Sequence, residues 1–168
     1  MTPGDPPIRR CTPADGAALA RIYNHYIATT VVTFEEEPVS AEEMMRRIVE
    51  VTARHPWLVW EEHGAVVGYA YASPWKGRAA YRHAVESAIY LDHARTGSGI
   101  GTRLYAALIA ELRTQGVHAV VGGVSLPNPA SVALHERLGF APVGAFREIG
   151  FKFGRWVDVG YWQLVFEG

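Results

Sequence analysis

The sequence predicts a single α/β domain built on a mixed, mostly antiparallel sheet of six to seven strands with about four helices. Three observations predict it. Strand-like and helix-like stretches follow one another as strand, two helices, three strands, helix, strand, helix, two strands. One strand–helix–strand unit near the middle requires a parallel pair, whereas the hairpin signals elsewhere require antiparallel ones. The 168 residues, 49% hydrophobic and 20% charged, suit one domain with a core large enough to need no disulfide or metal staple.

Residues 1–7 are short, polar and proline-rich, and read as a disordered tail before a domain spanning 8–168. A first strand is expected over 8–11. Thr12-Pro13-Ala14-Asp15 reads as a helix start, with Thr12 as N-cap and an acid in the first turn. Ala18, Leu19, Ile22, Tyr23 and Tyr26 make the apolar stripe of that helix. Ser40-Ala41-Glu42-Glu43 is a capping box for a second helix carrying Met44, Ile48 and Val51. Strands over 57–61 and 65–72, rich in Val, Trp and Tyr, flank a His63-Gly64 hairpin turn. A strand over 84–91 contains Glu86. A glycine loop follows it, then a helix with Leu104, Leu108, Ile109 and Leu112 on one face and Gly116 as C-terminal cap. Residues 119–124 form a buried strand, which should lie parallel to and beside 84–91. Asn128-Pro129 opens a helix bearing Val132, Leu134, His135 and Leu138, stopped by Gly139. Residues 142–166 alternate as a long closing hairpin with Gly154 near its turn.

Composition narrows the function classes. A net charge of −1 gives no global electrostatic reason to expect nucleic acid. Cys11 is the single cysteine, so a disulfide framework and a Cys-based zinc site are excluded. The seven histidines make no H-E-x-x-H pattern, and no metal is expected. No stretch approaches 18 apolar residues, so no membrane span is expected, and the default location is the cytoplasm.

The loop Gly97-Ser98-Gly99-Ile100-Gly101 joins a strand to a helix N-terminus, where backbone N–H groups and the helix dipole favour an anion. A plain tight turn is the ordinary alternative. A Walker loop needs Lys-Ser/Thr after the glycines, and here Gly101 is followed by Thr102-Arg103. A dinucleotide fingerprint needs G-x-G-x-x-G and an acid closing the next strand. Here the spacing is G-x-G-x-G and the strand ends Gly122-Gly123-Val124-Ser125.

Thr96-Gly97-Ser98-Gly99-Ile100-Gly101 resembles the Arg/Gln-x-x-Gly-x-Gly/Ala loop of the GNAT superfamily of acyl-CoA N-acyltransferases, with Thr96 at the position of the Arg or Gln and Arg95 beside it as a source of charge. The segment from Asn128 to Gly139-Phe140 resembles the Asn…Gly-Phe helix of the same superfamily. Asn24-His25-Tyr26-Ile27, Pro56-Trp57-Leu58-Val59, Ala72-Ser73-Pro74-Trp75-Lys76, Val85-Glu86-Ser87 and Leu126-Pro127-Asn128 look like phosphinothricin N-acetyltransferases. The closing Phe151-Lys152-Phe153-Gly154-Arg155-Trp156-Val157-Asp158-Val159 is similar to methionine sulfoximine/sulfone acetyltransferases. The resemblance covers nearly the whole chain. It implies the GNAT acyl-CoA N-acyltransferase fold, acetyl-CoA as cosubstrate, a small amine such as phosphinothricin or methionine sulfoximine/sulfone as acceptor, and a homodimer.

Acetyl transfer to an amine needs a base for the ammonium proton, a donor for the oxyanion and a proton for the departing thiolate. Glu86 is the candidate base. It lies mid-strand in an apolar run, where a carboxylate is costly unless solvated, paired or functional, and where partial burial raises its pKa. An exposed acid on a solvated face is the alternative. His135 stands, by resemblance, where the superfamily has its acid toward the coenzyme A sulfur. Local packing is the alternative. The resemblance assigns Gly97, Ser98, Gly99, Ile100, Gly101 and Thr102 to the pyrophosphate, the backbone of Ile89, Tyr90 and Leu91 to pantetheine, and Asn128 to the same arm besides its N-cap role. Lys76, Arg78, Tyr81 and Arg82 cluster before Glu86 as candidate acceptor-binding residues; the resemblance favours Arg78 and Tyr81, with Phe34 as an apolar wall, and a solvated loop is the alternative for each. Ala88 stands where the phosphinothricin subgroup has Thr. Lys152, Arg155 and Trp156 serve either the pocket or a dimer interface. Acetylation of another small amine or a protein N-terminus is the competing enzymatic function, and a non-catalytic acetyl-CoA sensor the competing function of another class.

Overall fold

The structure, a computed structural model, describes residues 7–167. The chain runs β1 (Ile8–Arg10), α1 (Gly16–Thr29), α2 (Ala41–Thr52), β2 (Trp57–Glu62), β3 (Ala65–Pro74), β4 (Ala84–Leu91), α3 (Ile100–Thr114), β5 (Ala119–Leu126), α4 (Pro129–Arg137), β6 (Ala141–Lys152) and β7 (Arg155–Val165). All seven strands form one mixed sheet in the order β1-β2-β3-β4-β5-β7-β6. The expected tail lies outside the described residues except for Pro7, whose carbonyl accepts the Glu61 N–H at 2.7 Å.

The element order is the expected one, with local differences that have simple causes. Thr12 opens a short 3-10 turn over Pro13–Asp15, and α1 starts only at Gly16. Asp15 closes that turn as a capping-box acid: it accepts the Thr12 N–H at 2.8 Å and two bonds from the Arg9 guanidinium at 2.8 and 2.9 Å. Ser40 caps α2 by accepting the Glu43 N–H at 3.1 Å. Both hairpin turns place two successive residues at positive φ, His63 and Gly64 (50° and 78°) and Phe153 and Gly154 (52° and 71°). That is the backbone a tight two-residue hairpin demands.

The sheet is covered on both faces in its first half. Leu58 and Trp60 of β2 point to the layer under α3, with Leu104, Tyr105, Leu108 and Leu112. Trp57 and Val59 point to the opposite layer under α1 and α2, with Leu19, Ile22, Met44 and Ile48. Burial on both faces explains why β2 reads as a continuous apolar run and not as an alternation.

The β4–β5 pair positions the site. It is parallel, as expected, but is registered only from Ala84↔Ala119 to Ser87↔Gly122. Beyond that point β4 continues against β3 as far as Leu91↔Gly68, and β5 continues against β7 as far as Leu126↔Asp158. The sheet therefore opens into a fork between the two strands. The glycine loop and the starts of α3 and α4 follow directly from the two prongs.

Candidate active site

Glu86 lies on the next-to-last paired rung before the fork, opposite Ser73 on β3 and Val121 on β5. Strand alternation puts it with Ala84, Ala88 and Tyr90 on the α1/α2 face. Burial raises its carboxyl above the ordinary carboxylate value, and the positive field of Lys76 opposes this. His135, on α4, is 4% exposed. Burial lowers its pKa, opposed by its bond to the Ser131 carbonyl. Glu86 and His135 both line one cavity of about 660 Å³ at the fork. Phe34, Ala88, Ser125 and Tyr161 also line it.

Both His135 nitrogens are engaged. Nδ1 lies 2.7 Å from the Ser131 carbonyl oxygen and Nε2 lies 3.1 Å from the Tyr105 hydroxyl. The ring meets Tyr105 and Phe140 edge-on, with centroids 5.3 and 5.2 Å apart. It fits because β5 has no side chain beneath it: a Cβ on Gly122 would come within 2.3 Å of Nε2.

The glycine loop has the geometry of an anion cradle. Gly97 and Gly99 sit at φ 75° and 80°, and Gly99 is the N-cap of α3 without a side-chain cap. The Ser98 hydroxyl turns back to the Arg95 carbonyl at 2.7 Å. The first amides of α3, at Ile100, Gly101 and Thr102, face outward as helix geometry requires. Gly101 serves packing: a Cβ there would stand 3.4 Å from Leu91 Cδ1. Ile89 and Leu91 pack toward α3, while Tyr90 packs on Tyr23 and Tyr26 with centroids 5.0 and 5.3 Å away. Their backbone edge is left facing the fork. Asn128 caps α4, its Oδ1 accepting the Ser131 N–H at 3.1 Å.

Phe34 closes the cavity against β6, where a Cβ on Gly150 would lie 2.2 Å from the ring. Its segment is pinned by Lys152, 1% exposed, whose Nζ donates to the Thr33 carbonyl at 2.8 Å. Lys152 thus braces the cavity from behind, while Arg155 and Trp156 are exposed on the last hairpin. Lys76, Arg78 and Tyr81 are not brought to the cavity lining. Lys76 Nζ sits 4.7 Å over the Trp75 ring, and Trp75 in turn packs edge-on against Tyr161 at 5.8 Å. Arg78 caps and Tyr81 ends an exposed 3-10 turn, Ala79–Tyr81. Among the described residues no cluster of three or more His, Cys, Asp or Glu is arranged to hold a metal, and no helix is long and apolar enough to cross a membrane.

Residues 8–160 match the family model described as the acetyltransferase (GNAT) domain. The chain belongs to the GNAT acetyltransferases. It is 46% identical to a phosphinothricin N-acetyltransferase of Streptomyces viridochromogenes, over 95% of this chain and 87% of that protein. It is 37% identical to an L-methionine sulfoximine/L-methionine sulfone acetyltransferase of Salmonella typhimurium, over 94% and 92%. The crystal structure of a GNAT phosphinothricin acetyltransferase from Sinorhizobium meliloti in complex with AcCoA superposes with a TM-score of 0.91 at 38% identity, covering 94% of this chain and 86% of that one. The protein is thus an N-acetyltransferase with the GNAT fold.

Within this GNAT site, sequence reasoning missed Ser87, which lines the cavity, and Tyr105 and Gly122, which meet the His135 ring. Gly122 had a signal, since a glycine inside a buried strand marks a close approach. Ser87 and Tyr105 had none, because each looks like ordinary core on its own element.

Proposed function

We propose that this acetyltransferase moves the acetyl group of acetyl-CoA directly to the α-amine of a small amino-acid-like acceptor of the phosphinothricin or methionine sulfoximine/sulfone type. One observation carries the proposal: the fork holds a raised-pKa carboxylate and a buried histidine in one cavity of about 660 Å³. The unpaired edge of Ile89, Tyr90 and Leu91 can take pantetheine as an added strand, and the amides of Gly97–Thr102 then receive the pyrophosphate. Asn128 lies at the start of α4 beside that arm. The thioester is delivered to the vertex of the fork. There Glu86 takes the ammonium proton, the free amine attacks the thioester carbon, and His135 is the acid that returns a proton to the coenzyme A sulfur.

Phe34 supplies the apolar wall that keeps the acceptor small. Lys76, Arg78 and Tyr81 act at the mouth, where two cations draw in an amino-acid carboxylate. A second copy of the chain covers the exposed apolar strip of Val143, Phe146, Ile149, Phe151, Phe153 and Trp156, giving a homodimer.

A thiol-release assay comparing phosphinothricin, methionine sulfoximine, methionine sulfone, other small amines and peptide N-termini by kcat/KM tests the proposal. Preference for the first three supports it. Preference for peptides, or no release with any amine, overturns it. Glu86→Gln should cut kcat about 10²- to 10⁴-fold while acetyl-CoA still binds. Near-normal turnover would remove Glu86 from the base role. The same variant has an opposite effect on stability. Glu86 holds its proton more tightly folded than unfolded, so ionisation erodes stability as pH rises past the unfolded value. Glu86→Gln should therefore raise Tm at neutral pH and leave it unchanged at acid pH.

A further inference from the structure

His135 does not present a free nitrogen to the cavity. A carbonyl oxygen only accepts, so Nδ1, 2.7 Å from Ser131 O, carries a proton in every state. In the neutral ring Nε2 is then the acceptor, and it faces the Tyr105 hydroxyl at 3.1 Å. The Tyr105 hydroxyl is in turn 2.6 Å from Ser87 Oγ, and Ser87 Oγ is 3.3 Å from the Val121 carbonyl. Ser87 lines the cavity, whereas Tyr105 is fully buried beneath it.

We infer that Ser87 and Tyr105 form a proton relay joining His135 Nε2 to the reacting atoms. This rests on the assignment of His135 as the acid and changes its route: the proton reaches sulfur through two hydroxyls.

The four groups satisfy every hydrogen bond in both charge states. With His135 neutral, Ser87 donates to Tyr105 and Tyr105 donates to Nε2. With His135 protonated, Nε2–H donates to Tyr105, Tyr105 donates to Ser87, and Ser87 turns its proton to the Val121 carbonyl. That carbonyl is the spare acceptor that makes the reversal possible. The fork supplies the arrangement, since β4 and β5 are still paired at Ser87↔Gly122 and Gly122 leaves room for the ring.

The step balances as follows. After Glu86 has taken the first amine proton and the amine has added to the thioester, the adduct nitrogen carries one proton in excess. Ser87 Oγ accepts it as its own proton passes to Tyr105 and the Tyr105 proton passes to Nε2. The C–S bond then breaks with its electron pair leaving on sulfur. The chain shifts back and an S–H bond forms, leaving His135 neutral again. Burial and the field of Glu86 hold the Tyr105 hydroxyl above its ordinary pKa, opposed by the Ser87 bond, so Tyr105 passes a proton without resting as a phenolate. The groups packed on the ring are Tyr105 from α3, Phe140 and Trp162, with Glu86 the ionisable neighbour of the relay.

The test compares Tyr105→Phe, Ser87→Ala and His135→Gln in the acetyl-CoA thiol-release assay across pH, with Tm followed in parallel. His135→Gln defines which limb of the kcat profile belongs to His135. Tyr105→Phe and Ser87→Ala are each expected to lower kcat about 10- to 100-fold, to leave KM for both substrates nearly unchanged and to displace that limb. Unchanged kcat overturns the relay. So does a kcat loss that follows a fall in Tm or a rise in KM while the limb stays in place. Full turnover in His135→Gln would instead remove the acid role on which the relay rests.

Discussion

The two hairpins of this protein share a turn and differ in everything around it. β2–β3 turns at His63-Gly64 and β6–β7 at Phe153-Gly154, each through two residues at positive φ. In the first, Trp57, Leu58, Val59 and Trp60 are all buried, because helices cover both faces. In the second, Val143, Phe146, Ile149 and Phe151 are exposed on an edge strand whose register slips between Phe146 and Gly150. At that slip the Glu148 N–H is held by Asp158 Oδ1 at 2.7 Å. Apolar content makes a strand in both cases. Whether the strand becomes core depends on what the rest of the chain, or a second chain, lays over it.

Substitutions sharpen the contrast. The largest effect is expected from removing a buried tryptophan: Trp60→Ala should cost about 3–5 kcal/mol in urea unfolding. Trp156→Ala on the second hairpin should change the stability of the isolated subunit by about 0.5 kcal/mol or less, and should weaken dimerisation by sedimentation. Equal costs for the two would erase the distinction, and a monomeric wild-type protein would remove the second copy as cover. Lys152→Met comes next. It keeps the aliphatic stem but strands the Thr33 carbonyl, at about 1–3 kcal/mol, and should raise the acceptor KM by releasing Phe34. An unaltered KM would show that the brace does not reach the cavity. The two turns should respond most alike: Gly64→Ala and Gly154→Ala each place a Cβ at positive φ in open space, and each should cost about 1 kcal/mol.

What was legible in the sequence follows from how local each signal is. The glycine loop, the cap at Asn128, the parallel strands around α3 and the isolated carboxylate at Glu86 are written in short segments, and all are found where expected. The relay is not local. Ser87, Tyr105 and His135 are separated by 18 and 30 residues and meet only because α3 and α4 pack on the same side of the fork. Lys152 likewise carries no pattern that announces burial; its partner is the Thr33 carbonyl, 119 residues away. Lys76, Arg78 and Tyr81 show the opposite bias. They precede Glu86 closely in sequence and are exposed, outside the cavity lining, although the charge of Lys76 still acts on Glu86.

With acetyl-CoA held in the fork as proposed, the endurance of the protein would follow the supply of that ligand. Past Ser87 and Gly122, β4 and β5 leave backbone edges unpaired with each other, and a ligand lying between them would extend the sheet. A molecule that binds only the folded chain deepens the folded state in proportion to the logarithm of its concentration. The acyl donor would then govern how long each copy resists proteases as well as how fast it works.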